Sequence, residues 1–138
     1  MGRRTVNELL WKLGLVMTGG ALGSGFRFAV AVATQRFAGQ PPALATWVVN
    51  LAGSLLFGVV LELTAHGGNS DSWRLFWLTG MMGALTTFST LMRDTARWME
   101  AARPVWGLLN LLLQNGLGLL CIFVGLHLGR WFAGGSPS

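Results

Sequence analysis

Four long apolar runs, at about 13–37, 41–64, 73–92 and 105–128, take up most of this 138-residue chain. Each is close to the ~20 residues that a helix needs to cross the hydrocarbon of a bilayer. Only 11% of the residues are charged, whereas a soluble domain carries about 25%. Such a chain cannot cover a water-facing surface. The expected fold is therefore all-α and integral to the membrane, one domain over residues 1–138 with four transmembrane helices. The apolar stretch behind Arg3 and Arg4 runs from Leu13 past Val32. That is longer than the roughly 7–15-residue core of a signal peptide, so it reads as the first helix.

Short polar links separate the runs. Gly39-Gln40-Pro41-Pro42 reads as a turn, with proline suited to a helix start. His66 to Asp71 reads as a polar loop, and Arg93 to Pro104 as a continuation of the third helix followed by a turn. Trp11, Trp73, Trp98, Trp106 and Trp131 fall near span ends, as interfacial belts require. Trp47 and Trp77 lie deeper and fit between helices.

The formal charge of +5 comes from residues scattered at segment ends. There is no basic stripe interleaved with aromatics, which argues against nucleic-acid binding. The lone Cys121 supports neither a disulfide framework nor a metal spacing. An even number of spans puts both termini on one side. Arg3, Arg4, Lys12, Arg74 and Arg130 fall there, and Arg36, Arg93, Arg97 and Arg103 fall opposite. Five against four assigns almost no orientation by the positive-inside rule. Either a weak bias sets one topology, or copies insert both ways and pair antiparallel.

The third run carries an anomaly. Gly80 to Leu91 reads Gly-Met-Met-Gly-Ala-Leu-Thr-Thr-Phe-Ser-Thr-Leu. Glycine is conformationally loose, and Ser and Thr offer the backbone competing hydrogen bonds. A break in the third helix near its middle is expected. In hydrocarbon, unwound backbone persists only where protein buries it or where it lines a watery path, and such breaks sit at ion or substrate sites.

Other polar residues fall inside the spans. Arg27 lies nine residues before Arg36, about 13 Å along a helix axis. It either caps backbone carbonyls or places a fixed positive charge in an aqueous vestibule that attracts anions. Asn50 shares a helix face with Thr46, Gly53 and Ser54. It serves either as helix–helix glue or as part of a path. Asn110 and Gln114 share another face, continued by Gly118, Cys121, Gly125 and Gly129, while Asn115 points away. Phe88 stands among Thr86, Thr87, Ser89 and Thr90. Its ring edge is electropositive and suits an anion in an apolar pore.

Taken together, these residues resemble the CrcB/Fluc family of fluoride channels over nearly the whole chain. The resemblance rests on Gly19-Gly-Ala-Leu-Gly-Ser-Gly-Phe-Arg27, Val49-Asn50-Leu-Ala-Gly53-Ser, Gly83-Ala-Leu-Thr86-Thr-Phe-Ser-Thr90, and Leu109-Asn110 with Gln114. It implies a fluoride-specific channel that passively exports fluoride and relieves its toxicity, and not an enzyme. It implies an antiparallel dual-topology homodimer with two pores in a bacterial-type inner membrane. It also implies a structural sodium ion held by backbone carbonyls at the third-helix break, at Gly83 and Thr86. Fluoride would pass Phe88, with Asn50, Ser89, Thr90, Asn110, Gln114 and Arg27 along the way.

Two departures stand out. The family motif ends Phe-Ser-Thr-Phe, and Leu91 takes the second ring's place. Gln114 is an amide where hydroxyl residues are common in the family. The rival reading is a small four-helix, dual-topology multidrug or cation exporter. Proton-coupled export needs a titratable carboxylate in mid-membrane, and Glu62, Asp71, Asp94 and Glu100 are all expected at span ends or in loops. A non-transporting assembly subunit is a second rival, but it gives no purpose to the hydroxyl-rich break or to Arg27.

Overall fold

The computed structural model describes residues 3–38, 42–66 and 71–134. The turn expected at 39–41, the loop at 67–70 and the tail at 135–138 lie outside the described residues. Apolar run one becomes α1 (Arg3–Ala38) and run two becomes α2 (Pro42–His66). Run three begins with the short α3 (Asp71–Arg74), passes into a π-helical segment π1 (Leu75–Met82), and closes with α4 (Gly83–Leu85). After Thr86 and Thr87 the chain resumes as α5 (Phe88–Glu100), and run four becomes α6 (Pro104–Phe132).

Helix ends outrun the apolar runs for local reasons. On α1, Glu8 and Lys12 form an i,i+4 ion pair at 2.6 Å, which supports helix beyond the hydrocarbon. Between α5 and α6 the chain reverses at Ala102, whose φ of 56° lies in the left-handed region. The Arg103 N–H bonds back to the Trp98 carbonyl at 2.9 Å and so satisfies the helix end. Pro104 then opens α6, where its missing N–H costs nothing.

The helices approach so closely that their backbones touch. A Cβ on Gly125 of α6 would collide with the Leu55 carbonyl of α2, and one on Gly58 of α2 would sit 2.8 Å from Leu126 N. Gly129 meets Val59 O at 2.9 Å in the same test. On the other side of the bundle, Gly19 and Gly23 of α1 bring that helix against the Phe76 and Met81 carbonyls of π1. Small residues serve this purpose where lipid removes the hydrophobic drive between helices. We expect Gly125→Ala to destabilise the fold by about 1–3 kcal/mol through overpacking, read as an earlier unfolding midpoint in a denaturant titration. An unchanged midpoint would show that α2 and α6 can part without cost.

Polarity runs opposite to that of a soluble protein. Among the described residues the buried set includes Thr46, Glu62, Thr64, Thr87, Asp94, Thr95, Asn110 and Gln114. Large apolar side chains such as Phe26, Phe28, Phe37, Leu112, Leu120, Phe123 and Trp131 are exposed. Four helical stretches, Thr5–Phe37, Ala43–Ala65, Asp71–Glu100 and Pro104–Phe132, are long and apolar enough to cross a membrane. An apolar exterior around a polar interior suits a bilayer and no other solvent. The chain is a multi-pass membrane protein.

Candidate functional site

At the junction of α4 and α5 the backbone leaves helical space. Thr86 has φ −78° and ψ 151°, and Thr87 has φ −144° and ψ 105°. Side chains from neighbouring turns satisfy the groups this exposes. The Thr87 N–H donates to Asn50 Oδ1 on α2 at 2.8 Å. The Thr90 N–H donates to Thr87 Oγ1 at 3.3 Å, an N-cap for α5. In an unbroken helix these two N–H groups would bond the carbonyls four residues back, Gly83 and Thr86. Asn50 and Thr87 divert both donors and leave those two carbonyls without their helical partners.

Asn50 anchors a polar seam between α2 and α6. Its Nδ2 donates to Gln114 Oε1 at 3.0 Å and reaches the Thr87 carbonyl at 3.4 Å. Gln114 Nε2 donates to Asn110 Oδ1 at 3.0 Å, and Asn110 Nδ2 donates to Thr95 Oγ1 at 3.0 Å. Trp47 Nε1 also donates to Asn110 Oδ1, at 2.8 Å. Among the described residues, no buried side-chain nitrogen or oxygen lacks a partner. A fully satisfied network of this kind is rigid.

Two cavities meet at the break. The larger, about 420 Å³, is lined by Asn50, Thr86, Phe88, Leu91 and Gln114, with Gly53 and Gly118 in its walls. The smaller, about 310 Å³, is lined by Arg27, Thr46, Thr90 and Arg93 among others. Thr87 lines both. Arg27 makes no ion pair among the described residues, whereas Arg93 pairs with Asp94 at 3.1 Å. Two guanidiniums thus line the smaller cavity, and the carboxylate that pairs with one of them, Asp94, does not line it.

The structure therefore brings some of the expected residues together and separates others. Phe88, Asn50 and Gln114 share the larger cavity, and Arg27 and Thr90 share the smaller. Asn110 joins by hydrogen bonds and lines a different cavity of about 370 Å³ beside Trp47, Trp98 and Trp106. Ser89 is exposed, and its hydroxyl lies 3.3 Å from that of Thr87. Phe88 is 68% exposed while Leu91 is 4% exposed, although both line the larger cavity. Phe88 opens α5 straight out of extended backbone and swings outward there.

Asp94 and Glu62 lie near the ends of the third and second apolar runs and are also buried against the bundle. Asp94 accepts from Thr46 Oγ1 at 2.8 Å and pairs with Arg93, and Glu62 pairs with Arg130 at 3.3 Å. Each is held by a basic partner brought from its own or a facing helix. The π1 segment was not expected. Its widened turn shows in the Gly83 N–H, which bonds the Leu78 carbonyl five residues back.

These features define a class, a four-helix membrane protein with a polar seam and paired cavities at a backbone break. Residues 14–126 match the family described as CrcB-like protein, Camphor Resistance (CrcB), and the chain belongs to that family. It is 38% identical over 119 residues to the fluoride-specific ion channel FluC of Agrobacterium fabrum, covering 86% of this chain and 95% of that one. Against FluC of Xylella fastidiosa it is 39% identical over 130 residues, 91% of this chain and 90% of that one. FluC of Maridesulfovibrio salexigens is 40% identical over 116 residues, with 83% and 92% covered.

Proposed function

We propose that the chain is a fluoride-specific channel that lets fluoride leave the cell down its gradient and so lowers its toxicity. The observation that carries this reading is the larger cavity, where amide N–H groups, hydroxyls and the Phe88 ring edge converge beside the break. Fluoride is small and strongly hydrated, so a selective path must replace its water with donors. Asn50 and Gln114 carry amide N–H, Thr86, Thr87 and Thr90 carry hydroxyls, and the ring of Phe88 presents a positive edge. Arg27 and Arg93 concentrate anions in the smaller cavity at one end. Several weak sites in series let the ion enter and leave. No bond is made or broken, so the protein is a conductor and not an enzyme. The buried carboxylates do not favour the exporter reading, because each is already tied to an arginine.

The third span in this reading is a broken membrane helix, and the working unit is an antiparallel dual-topology homodimer. Exposure supports the pairing: Gly83 and Phe88 lie at the surface of a single copy, beside the break. The near-even charge count supports insertion in both directions. A structural sodium ion fits the same place. The Gly83 and Thr86 carbonyls have lost their helical donors, and hard cations take oxygen ligands. Two copies would offer both pairs to one ion, which would hold the dimer without being transported. The setting is then the inner membrane of a bacterial-type cell, with fluoride, lipid and a second copy as partners.

Purified protein in liposomes tests this. Fluoride should leave on opening the gradient while chloride stays, and exhaustive sodium removal should lower both dimer stability and flux. Folded protein that passes no fluoride overturns the channel reading. Dimer and flux untouched by sodium removal overturn the sodium site alone.

A further inference from the structure

Ser54 stands one helical turn beyond Asn50 on α2, and Gly118 one turn beyond Gln114 on α6. The two pairs make successive rungs between the helices, and all four residues line the larger cavity. The first rung is closed, because Asn50 Nδ2 donates to Gln114 Oε1 at 3.0 Å. The second is open. Gly118 has no side chain to set against Ser54, and a Cβ there would meet only Ser54 Oγ within 4 Å, at 3.5 Å.

Hydroxyls in apolar helices commonly bond back to their own backbone. Thr18, Thr34, Thr64 and Thr86 do so, each on a carbonyl three or four residues earlier. Ser54 does not. It is half-buried and makes no hydrogen bond among the described residues. No buried side-chain oxygen lacks a partner there, so the Ser54 oxygen is open to the cavity.

An anion in this cavity needs hydrogens that are not already spent. Asn50 has none left, because its second Nδ2 hydrogen serves the Thr87 carbonyl at 3.4 Å. The Thr86 hydroxyl donates to the Met82 carbonyl at 3.1 Å. The Thr87 hydroxyl is shared with those of Ser89 and Thr90, at 3.3 and 2.9 Å. Asn115 bonds the Leu111 carbonyl and lies at the exposed rim. Inside the cavity there remain one Gln114 Nε2 hydrogen, the other being on Asn110, and the whole Ser54 O–H.

We propose that Ser54 is a fluoride-binding residue: at the open rung opposite Gly118 its hydroxyl donates to the ion, and the spare Gln114 N–H presents the next donor one turn along. This rests on the reading of the larger cavity as the fluoride path. The ion displaces no internal hydrogen bond at Ser54, so it can arrive and leave without loosening the bonds that hold the break.

Ser54→Ala in the full-length protein is expected to lower fluoride flux in liposomes about tenfold, the effect of losing one hydrogen bond to a charged group. Two double variants separate the hydroxyl from its volume. Ser54→Ala with Gly118→Ser returns a hydroxyl to the same space from the facing helix and should recover most of the lost flux. Ser54→Ala with Gly118→Ala adds the carbon alone and should stay as low as the single variant. Size-exclusion chromatography gives the folded fraction of each. If a double does not fold, Ser54→Thr takes its place, keeps the hydroxyl and should conduct like the parent. Parent-like flux from folded Ser54→Ala overturns the assignment, as does equal flux from the two doubles or a threonine variant as slow as the alanine one. Native protein that passes no fluoride overturns the channel reading itself, on which the assignment stands.

Discussion

Asn50→Asp is expected to cut fluoride flux roughly a thousandfold. Two effects act together. A carboxylate about 4 Å from a passing anion repels it by about 4 kcal/mol at the effective dielectric of a protein site, equivalent to about three decades. The substitution also removes a donor where two acceptors wait. Asn50 Nδ2 now serves Gln114 Oε1 and the Thr87 carbonyl, and an aspartate would turn a bare oxygen toward both. Gln114 cannot relieve the clash by turning, because its Nε2 is committed to Asn110. The uncompensated acceptors cost about 1–3 kcal/mol of stability, so the folded fraction is measured beside the efflux by size-exclusion chromatography. Flux within about threefold of the parent from folded protein would show that the ion does not pass Asn50.

Phe88→Ile is expected to lower flux at least tenfold with no loss of fold. The side chain is 68% exposed in one copy, so shortening it empties no core. Isoleucine keeps apolar bulk and removes the ring quadrupole. If the ring edge holds the ion as strongly as the better aromatic pairs hold each other, about 1.5 kcal/mol, its loss is roughly tenfold in rate. Efflux from liposomes with the variant reconstituted at equal density gives the comparison. Parent-like flux would mean that bulk alone matters at this position and that the positive ring edge does not hold the ion.

The two variants separate what was legible in the sequence from what was not. Run length and charge scarcity are properties of each segment alone, so four apolar helices could be read directly. The face shared by Asn110 and Gln114 follows from i,i+4 spacing and needs no tertiary knowledge. The departure from helix at Thr86 and Thr87 falls within the hydroxyl-rich stretch that drew attention to it. What the sequence concealed depends on contacts between helices. The π turn at Leu75–Met82 sits where Gly19 and Gly23 press α1 onto the Phe76 and Met81 carbonyls, and nothing in that run of the sequence announces it. Asp94 reads as a span-end carboxylate, and its burial shows only once Thr46, 48 positions away, bonds to it. Trp47 reads as packing until its N–H is seen on Asn110, 63 positions away. Hydroxyl-to-carboxylate and indole-to-amide bonds over such spans leave no local pattern.

The bond between the Thr87 N–H and Asn50 has a bearing on biogenesis. One of the two acceptors that stabilise the departure from helix, Asn50 Oδ1, comes from α2, 37 positions earlier in the chain, and the other is the hydroxyl of Thr87 itself. In lipid alone, the third span has no substitute for Asn50, and the Thr87 N–H is then satisfied at least cost by helix, bonded four residues back. The opening at Thr87 is therefore expected to hold only where α2 is docked against the third span. A copy whose third span has not yet packed on the second would then offer the ion no opening at Thr87, and no separate gate would be needed to keep it closed.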